Sequence, residues 1–222
     1  MNAPTSPASD VDPRDQRVFD AVRELLSIDG MRLSMEAVAA RAGCSKQTLY
    51  SRYGCKQDLL RRVLQQYVVA TTAQLALEDD DDVRQTLEAF AVTYLESRSL
   101  PQAMQTHQLL LAEARSFPEE AEALYRNSAV ALHSHLAEWM ATASRRGNLR
   151  HDDPHFMAEL LISMIVGLDF DRRLFNAPYR DGAEARRHWA GFAVDAFLRA
   201  MAPEAEQNIF PHTNKNKLRS YS

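Results

Sequence analysis

Cysteine is scarce in this chain, since only Cys44 and Cys55 occur among its 222 residues. Two cysteines cannot build the framework of several disulfides that holds small secreted domains together. No apolar run is long enough to span a membrane, and the N-terminal segment MNAPTSPASDVDP lacks the apolar core of a signal peptide. We therefore expect a cytoplasmic protein without a membrane partner.

Glycine and proline are also infrequent, with seven and nine occurrences, which leaves room for long helices. A phosphate-binding loop, a cluster with metal-ligand spacing and a nucleophile with a neighbouring base are all missing from the sequence. We therefore predict no enzymatic activity, no cofactor and no metal site, and an all-helical enzyme is the least favoured alternative. The four consecutive acids at residues 79–82 are predicted to form a solvated connector, because a metal would need further partners.

Positive charge is concentrated in one segment of an otherwise acidic chain. The whole chain carries a formal charge of −4, but residues 30–62 hold seven basic residues against two acidic ones, a net +5, so the remainder carries −9. A basic patch on an acidic protein indicates a surface for phosphate groups rather than a scatter of solvated charges. The seven basic residues are Arg32, Arg41, Lys46, Arg52, Lys56, Arg61 and Arg62.

Two short helices joined by a tight turn are predicted between Ser34 and Lys56. Ser34 and Ser45 are suited to cap them, because a hydroxyl accepts an otherwise unpaired backbone N–H, and Gly43 between them can adopt a positive φ. The first helix has an apolar face, formed by Met35, Val38, Ala39 and Ala42. The second has Leu49 as its one strongly apolar residue, which suits a helix that enters the major groove of DNA. The pattern predicts a helix-turn-helix.

With this pattern the sequence resembles the TetR family of transcriptional regulators over about its first 65 residues. The resemblance is carried by Gly30, Ser34, Met35, Val38, Ala39, Ala42, Gly43, Cys44, Ser45, Thr48, Leu49, Tyr50, Tyr53, Lys56, Leu59 and Leu60. Two positions depart from the family pattern. Tyr53 stands where phenylalanine is common, and Gly54-Cys55 stands where serine or asparagine usually caps the next helix. We therefore expect the fourth helix to be less well capped.

The rest of the chain has helical periodicity throughout, so the predicted fold is all-α. An N-terminal three-helix helix-turn-helix DNA-binding bundle is assigned to residues 13–60. A larger C-terminal helical domain for ligand binding and dimerisation is assigned to residues 61–202. We predict a mobile arm at residues 1–12 and a disordered tail at residues 203–222.

Four expectations concern individual helices. A fourth helix is expected to run from Lys56 to about Leu77 and to link the two domains mechanically. A single long helix should span residues 121–147, and a helix that is apolar on nearly all sides should span residues 154–170. Asp181 is expected to cap the last helix.

The predicted DNA contacts lie on and beside the second helix of the helix-turn-helix. Lysine can donate to guanine, glutamine can pair with adenine, and a threonine methyl can contact a thymine methyl. On this basis we expect base or near-base contacts from Lys46, Gln47, Thr48 and Tyr50. Phosphate contacts are expected from Ser34, Tyr50, Arg52 and Lys56, and family members commonly touch the DNA backbone at the positions of Tyr50 and Lys56. Packing of Tyr50 against the bundle and a solvated Lys56 are the alternatives.

A dimer is expected from the helix at residues 154–170, because a helix that is apolar all round must be buried on both sides. In the TetR family the last two helices of each subunit form a four-helix interface, which the resemblance places at about residues 154–174 and 183–201 here. The predicted interface residues are Phe156, Leu160, Met164, Gly167, Trp189, Phe192 and Phe197. A dimer presents two recognition helices to a palindromic site.

Family members usually couple a small molecule in the second domain to the release of DNA. The resemblance therefore implies a homodimeric repressor that a small, hydrophobic effector releases from a palindromic double-stranded DNA operator. Candidate effector residues are Met104, His107, Leu111, Tyr125, His133, Trp139 and Met164, although such residues at helical spacing are also typical of ordinary core. Activation instead of repression stays open. The alternative function is a helical small-molecule-binding protein with a vestigial DNA role.

Cys55 gives rise to one further hypothesis. It lies at a helix N-terminus between Arg52 and Lys56, and such an environment favours a thiolate. Cys55 could therefore act as an oxidation sensor that disturbs phosphate contacts. The alternative is an inert small residue at a helix cap.

Overall fold

A computed structural model of the protein describes residues 12–75 and 82–203, and within these ranges every regular element is a helix. The predicted all-α fold is confirmed. The helices are α1 (Pro13–Asp29), α2 (Met35–Ala42), α3 (Lys46–Tyr53), α4 (Lys56–Thr72), α5 (Val83–Ser99), α6 (Pro101–Glu113), α7 (Pro118–Tyr125), α8 (Ala131–Arg145), α9 (Pro154–Val166), α10 (Asp169–Leu174) and α11 (Ala183–Ala200).

Helices α1, α2, α3 and the first half of α4 form the N-terminal bundle around one hydrophobic core. Its most deeply buried members include Val22, Val38, Leu49 and Leu59, one from each helix. The bundle begins at Asp12, whose carboxylate caps α1 by accepting the backbone N–H of Arg14 at 2.9 Å. Helices α2 and α3, with eight residues each, are too short to be stable alone, so the shared core is what holds them.

The C-terminal domain has a second core, built by α5, α8, α9, α11 and the end of α4. Phe90, Leu136, Leu161 and Phe197 are fully buried there, and α11 packs against both α5 and α9. Burial of side chains of this size contributes about 1.5–3 kcal/mol each. This core supports the cavity described below.

Helices α6 and α7 connect the two cores. Leu124 of α7 is a buried member of the N-terminal core, and Leu110, Phe117 and Ala121 pack against the same core. The fourth helix, expected to be the mechanical link, is therefore only one of several connections. It ends at Thr72 and continues as a 3-10 turn to Leu75, the last described residue before the gap.

Two of the expected helix boundaries were wrong, and one expected helix contains an irregular turn. The long helix expected at residues 121–147 runs without a break from Pro118 to Arg145, with a π-helical turn at Arg126–Val130 between α7 and α8. The helix expected at residues 154–170 ends at Val166, because Gly167 adopts φ +52° and turns the chain before α10. Asp181 does not cap α11. The cap position is Gly182, which has no capping side chain.

Several predictions fall outside the described residues. These are the arm up to residue 11, the acids Asp79 to Asp81 and the tail from residue 204 onward. Asp82 is described, and its carboxylate caps α5 by accepting the backbone N–H groups of Arg84 and Gln85 at 2.8 and 3.3 Å. In the described ranges, no helix has the length and apolar character needed to cross a membrane.

Candidate functional site

The turn between α2 and α3 has the geometry that its residues predict. Ser34 caps α2 by accepting the backbone N–H of Ala37 at 3.2 Å. Gly43 closes α2 in the left-handed conformation, with φ +67° and ψ +36°, and the Cys44 N–H donates back to the Ala39 carbonyl at 3.0 Å. This arrangement satisfies the last carbonyls of α2 and sets the angle at which α3 departs.

Helix α3 is anchored on one side and exposed on the other. Ser45 caps it by accepting the Thr48 N–H at 3.0 Å, while Leu49 and Tyr53 are buried in the bundle. The Tyr53 hydroxyl also donates to the Asp15 carboxylate. Burial, followed by the Asp15 contact, raises the pKa of Tyr53 above its usual range. The side chains left exposed on α3 are Lys46, Gln47, Thr48, Tyr50, Ser51 and Arg52.

The exposed face of α3 is polar and partly preorganised. The Lys46 ammonium pairs with the Glu36 carboxylate, and it lies 5.7 Å from the centre of the Tyr50 ring. The Thr48 and Ser45 hydroxyls are 2.7 Å apart. The Gln47 amide forms no hydrogen bond to another side chain within the described part of the protein. These groups can therefore turn toward base edges with little rearrangement of the backbone.

Two of the predicted phosphate contacts already have partners inside the protein. Arg52 donates from Nε to the Asp15 carboxylate at 2.5 Å and from Nη2 to Asp12 at 2.9 Å, which ties α3 to the start of α1. The Lys56 ammonium donates to the backbone carbonyl of Met31 at 2.6 Å. Arg52 therefore holds the bundle together, whereas Lys56 keeps donor capacity for a phosphate.

Carboxylates from other parts of the protein offset much of the net positive charge of residues 30–62. Of the seven basic residues in residues 30–62, five form ion pairs with carboxylates. Three of those pairs use acids of α1 or α6, namely Glu24, Asp15 and Glu113. Pairs in which both side chains are exposed, such as Lys46–Glu36 and Arg41–Glu24, contribute only about 0–1 kcal/mol, so phosphates can replace these two carboxylates.

The Glu113 carboxylate, at the end of α6, binds the segment that precedes α2. It accepts the backbone N–H of Met31 at 2.8 Å and pairs with Arg32 Nε at 3.1 Å, and its side chain is buried. A Cβ at Gly30 would overlap its Oε2 atom, so only glycine allows this approach. The bond joins the C-terminal domain to the helix-turn-helix. Sequence reasoning missed Glu113, which has no motif of its own.

A cavity of about 330 Å³ opens among α4, α5, the π-helical turn, α8 and α9. Two of the predicted effector residues, Tyr125 and His133, line it, together with Tyr67, Tyr94 and Arg98. His133 Nε2 lies 2.9 Å from the His155 carbonyl. This volume and aromatic lining are typical of small-molecule sites.

The other five predicted effector residues lie elsewhere. Leu111 is 56% exposed on α6, and Trp139 lines a separate open groove of about 350 Å³ beside Thr72. Met104 and Met164 are half-buried on α6 and α9. The His107 ring lies edge-on to Phe170 with centroids 4.9 Å apart, and burial followed by the charge of Arg98 lowers its pKa.

An apolar surface extends over α9 and α11. Phe156 is 71% exposed on α9 and Phe192 is 56% exposed on α11, with Leu160 also exposed beside them. Phe192 stacks on Trp189, at a centroid distance of 5.6 Å. Exposed apolar patches of this kind mark interaction surfaces. We call this patch the apolar surface; its residues are Phe156, Leu160, Met164, Trp189 and Phe192.

Two residues predicted for the interface have roles within the chain. Phe197 is fully buried in the C-terminal core, so it cannot contact a second chain, and its assignment was wrong. Gly167 does permit a close approach, but the approaching group is Trp189, whose Cζ2 would lie 3.0 Å from an added Cβ. The Trp189 indole N–H donates to the Ile165 carbonyl at 2.7 Å, which fixes α11 against α9.

Cys55 begins α4 without a side-chain cap, as the departure from the family pattern led us to expect. Its thiol donates to the Asp58 carboxylate at 3.2 Å. A donated bond requires the protonated thiol, whereas an oxidation sensor reacts as the thiolate. The sensor hypothesis therefore stays a prediction that this geometry does not favour.

Two family models match the chain. Residues 18–63 match the model described as bacterial regulatory proteins, tetR family, and residues 85–203 match the model described as AefR-like transcriptional repressor, C-terminal domain. The two matched ranges correspond to the helix-turn-helix bundle and to the domain that contains the cavity and the apolar surface. Among curated protein sequences no match was found.

Solved structures share the fold over most of the chain. A putative TetR-family regulator from Mesorhizobium loti MAFF303099 is 21% identical with a TM-score of 0.67, covering 85% of this chain and 96% of its own. The flavonoid-responsive regulator FrrA is 23% identical with a TM-score of 0.65, covering 86% and 98%. A TetR regulator from Agrobacterium tumefaciens is 23% identical with a TM-score of 0.65, covering 90% and 100%.

Proposed function

Because this chain belongs to the TetR family of bacterial transcriptional regulators, we propose that it is a homodimeric repressor. In this proposal a small organic effector enters the cavity beside Tyr94 and releases the protein from a palindromic operator. The observation that carries the proposal is the α3 surface, where Leu49 and Tyr53 anchor the helix and every exposed side chain is polar or aromatic. A helix of this kind fits the major groove of DNA.

Contacts to the bases follow from the chemistry of the exposed α3 side chains. Lys46 exchanges Glu36 for the acceptors of a guanine, and the free amide of Gln47 pairs with an adenine. The Thr48 methyl packs against a thymine methyl. Ser34 and Lys56, at the starts of α2 and α4, donate to phosphates on either side of the groove.

Release depends on how the effector domain holds the helix-turn-helix. The Glu113 carboxylate fixes Met31 and Arg32, so a movement of α6 carries the segment before α2 with it. An effector that binds more tightly to a conformation in which α6 is displaced shifts the protein toward that conformation. The distance between the two recognition helices of the dimer then changes. FrrA, described as flavonoid-responsive, is a relative in fold whose description fits an organic effector.

The first experiment measures binding of the purified protein to DNA flanking its own gene, across a range of salt concentrations. We expect sequence-selective binding that weakens as salt rises, because Lys and Arg contacts to phosphates are electrostatic. Gln47→Ala should weaken binding to the operator about tenfold and relax selectivity at one base pair, while leaving binding to unrelated DNA unchanged.

The matched control is Gln105→Ala, which removes another exposed glutamine, on α6. It should leave operator affinity unchanged. If the wild-type protein binds all DNA weakly and equally, the repressor proposal fails and a ligand-binding protein with a vestigial DNA role becomes the better account.

A further inference from the structure

Arg98, in the last turn of α5, is a cation whose partners in the described structure are aromatic rings and not carboxylates. Its guanidinium carbon lies 4.3 Å from the centre of the Phe170 ring and 5.6 Å from that of Tyr94. Its Nε–H is buried without a hydrogen-bond acceptor, and within residues 12–75 and 82–203 the Arg98 guanidinium forms no ion pair. A buried donor without an acceptor is costly, so the site is incomplete as it stands.

The pocket behind Arg98 is also positively charged. It is lined by the arginines Arg98, Arg173, Arg180 and Arg186, with Asp169 as the one acid. Asp169 already accepts the backbone N–H groups of Tyr179 and Arg180 at 3.0 Å each and pairs with Arg173 at 3.0 Å. Arg180 and Arg186 each keep a buried N–H without an acceptor. Arg173 Nη1 also lies 3.5 Å from the exposed Asp181 carboxylate, and two carboxylates cannot neutralise four arginines.

Arg98 also lines the aromatic cavity, where it is the one arginine or lysine among the lining residues. The Tyr94 ring lines the same cavity, and burial raises the pKa of Tyr94 against the opposing charge of Arg98. Glu159, the acid in the lining, is exposed and hence solvated. The remaining wall is mostly aromatic or aliphatic, and includes Tyr67, Tyr125, Leu132 and Ile162. An apolar body and a single negative charge match these walls.

We propose that the effector is an organic carboxylate with an aromatic or aliphatic body, and that Arg98 is its counterion. The planar guanidinium fork matches a carboxylate in two parallel hydrogen bonds, which supplies the missing acceptor of Nε. The inference rests on the proposed effector cavity and adds the chemical class of the ligand. The Phe170 ring contacts both the Arg98 guanidinium and the His107 ring. Because His107 and Glu113 both belong to α6, a carboxylate bound to Arg98 lies at one end of a chain of contacts that reaches Glu113.

The test compares acids with their uncharged primary amides, which have nearly the same shape. The probes are 3-phenylpropanoate with 3-phenylpropanamide, and 2-naphthoate with 2-naphthamide, titrated calorimetrically into the full-length protein without DNA. We expect at least one acid to bind about 10- to 100-fold more tightly than its amide. Arg98→Gln should remove this preference while changing amide affinity by no more than about twofold.

Arg199→Gln is the matched control, since Arg199 is an exposed arginine in the last turn of α11. It should keep the preference. Arg98→Lys keeps the charge without the planar fork, so it should keep part of the preference. This second variant tests the proposal if Arg98→Gln does not fold. Equal affinities of acid and amide for the wild-type protein, or no acid binding below about 1 mM, overturn the proposal.

Release from DNA is measured separately. An acid preference without release of the operator counts against the repressor mechanism and leaves the carboxylate site standing. Operator binding by a protein that does not distinguish acids from amides overturns the carboxylate site and leaves the regulator standing.

Discussion

Phe156→Glu combined with Phe192→Glu is expected to convert the protein to a monomer and to weaken operator binding about 100-fold or more. Both side chains lie on the apolar surface, 71% and 56% exposed in the single chain. In a twofold dimer each glutamate would be buried against its partner's apolar surface without a counterion, which is strongly unfavourable. Each half of the operator would then bind independently. Sedimentation velocity and operator titration measure the two effects.

The matched control is Leu111→Glu, because Leu111 has the same 56% exposure but lies on α6. It should remain dimeric with unchanged operator affinity. Since neither Phe156 nor Phe192 belongs to a core, circular dichroism should show an intact fold in the double variant. A double variant that stays dimeric and binds the operator normally would place the interface elsewhere.

Gly30→Ala is expected to lower the free energy of unfolding by about 3 kcal/mol and the melting temperature by about 6–12 °C. Gly30 has φ +57° and ψ −134°, a conformation that residues with a Cβ rarely adopt. The added Cβ would also overlap Glu113 Oε2 and lie 2.9 Å from Leu109 Cγ. Backbone strain and steric overlap therefore add at one position. Thermal and denaturant unfolding give the measurement.

Two variants separate these causes. Gly147→Ala has a similar positive φ of +77° but no atom within 4 Å of the added Cβ, so it should cost only about 1 kcal/mol. In a Glu113→Ala background the cost of Gly30→Ala should fall by about 1 kcal/mol, since part of the overlap is gone. Equal costs in both backgrounds would mean that the Glu113 contact is not close in solution.

The helix-turn-helix could be predicted because its signals are local. Ser34, Gly43 and Ser45 cap or turn the chain through hydrogen bonds to residues at most four or five positions away. The exposed residues of α3 follow from the single apolar position, Leu49. Such features depend little on the rest of the fold, so they can be recognised in sequence alone.

Contacts between distant residues could not be predicted in the same way. Glu113 and Met31 are 82 positions apart. The Arg98 guanidinium and the rings of His107 and Phe170 come from α5, α6 and α10. No local periodicity indicates such pairs. The error at Phe197 was avoidable, however. It follows Phe192 by five positions, or about 140° around a helix, so the two cannot share one face.

The ion pairs on the helix-turn-helix have a consequence for the thermodynamics of operator binding. Lys46 and Arg41 have carboxylates beside them before DNA arrives. Cations that move from these acids to phosphates leave the acids to take up sodium or potassium ions from solution. The net number of ions released is then smaller than the number of phosphate contacts. The logarithm of affinity should therefore fall with the logarithm of salt concentration by less than about 0.9 per contact.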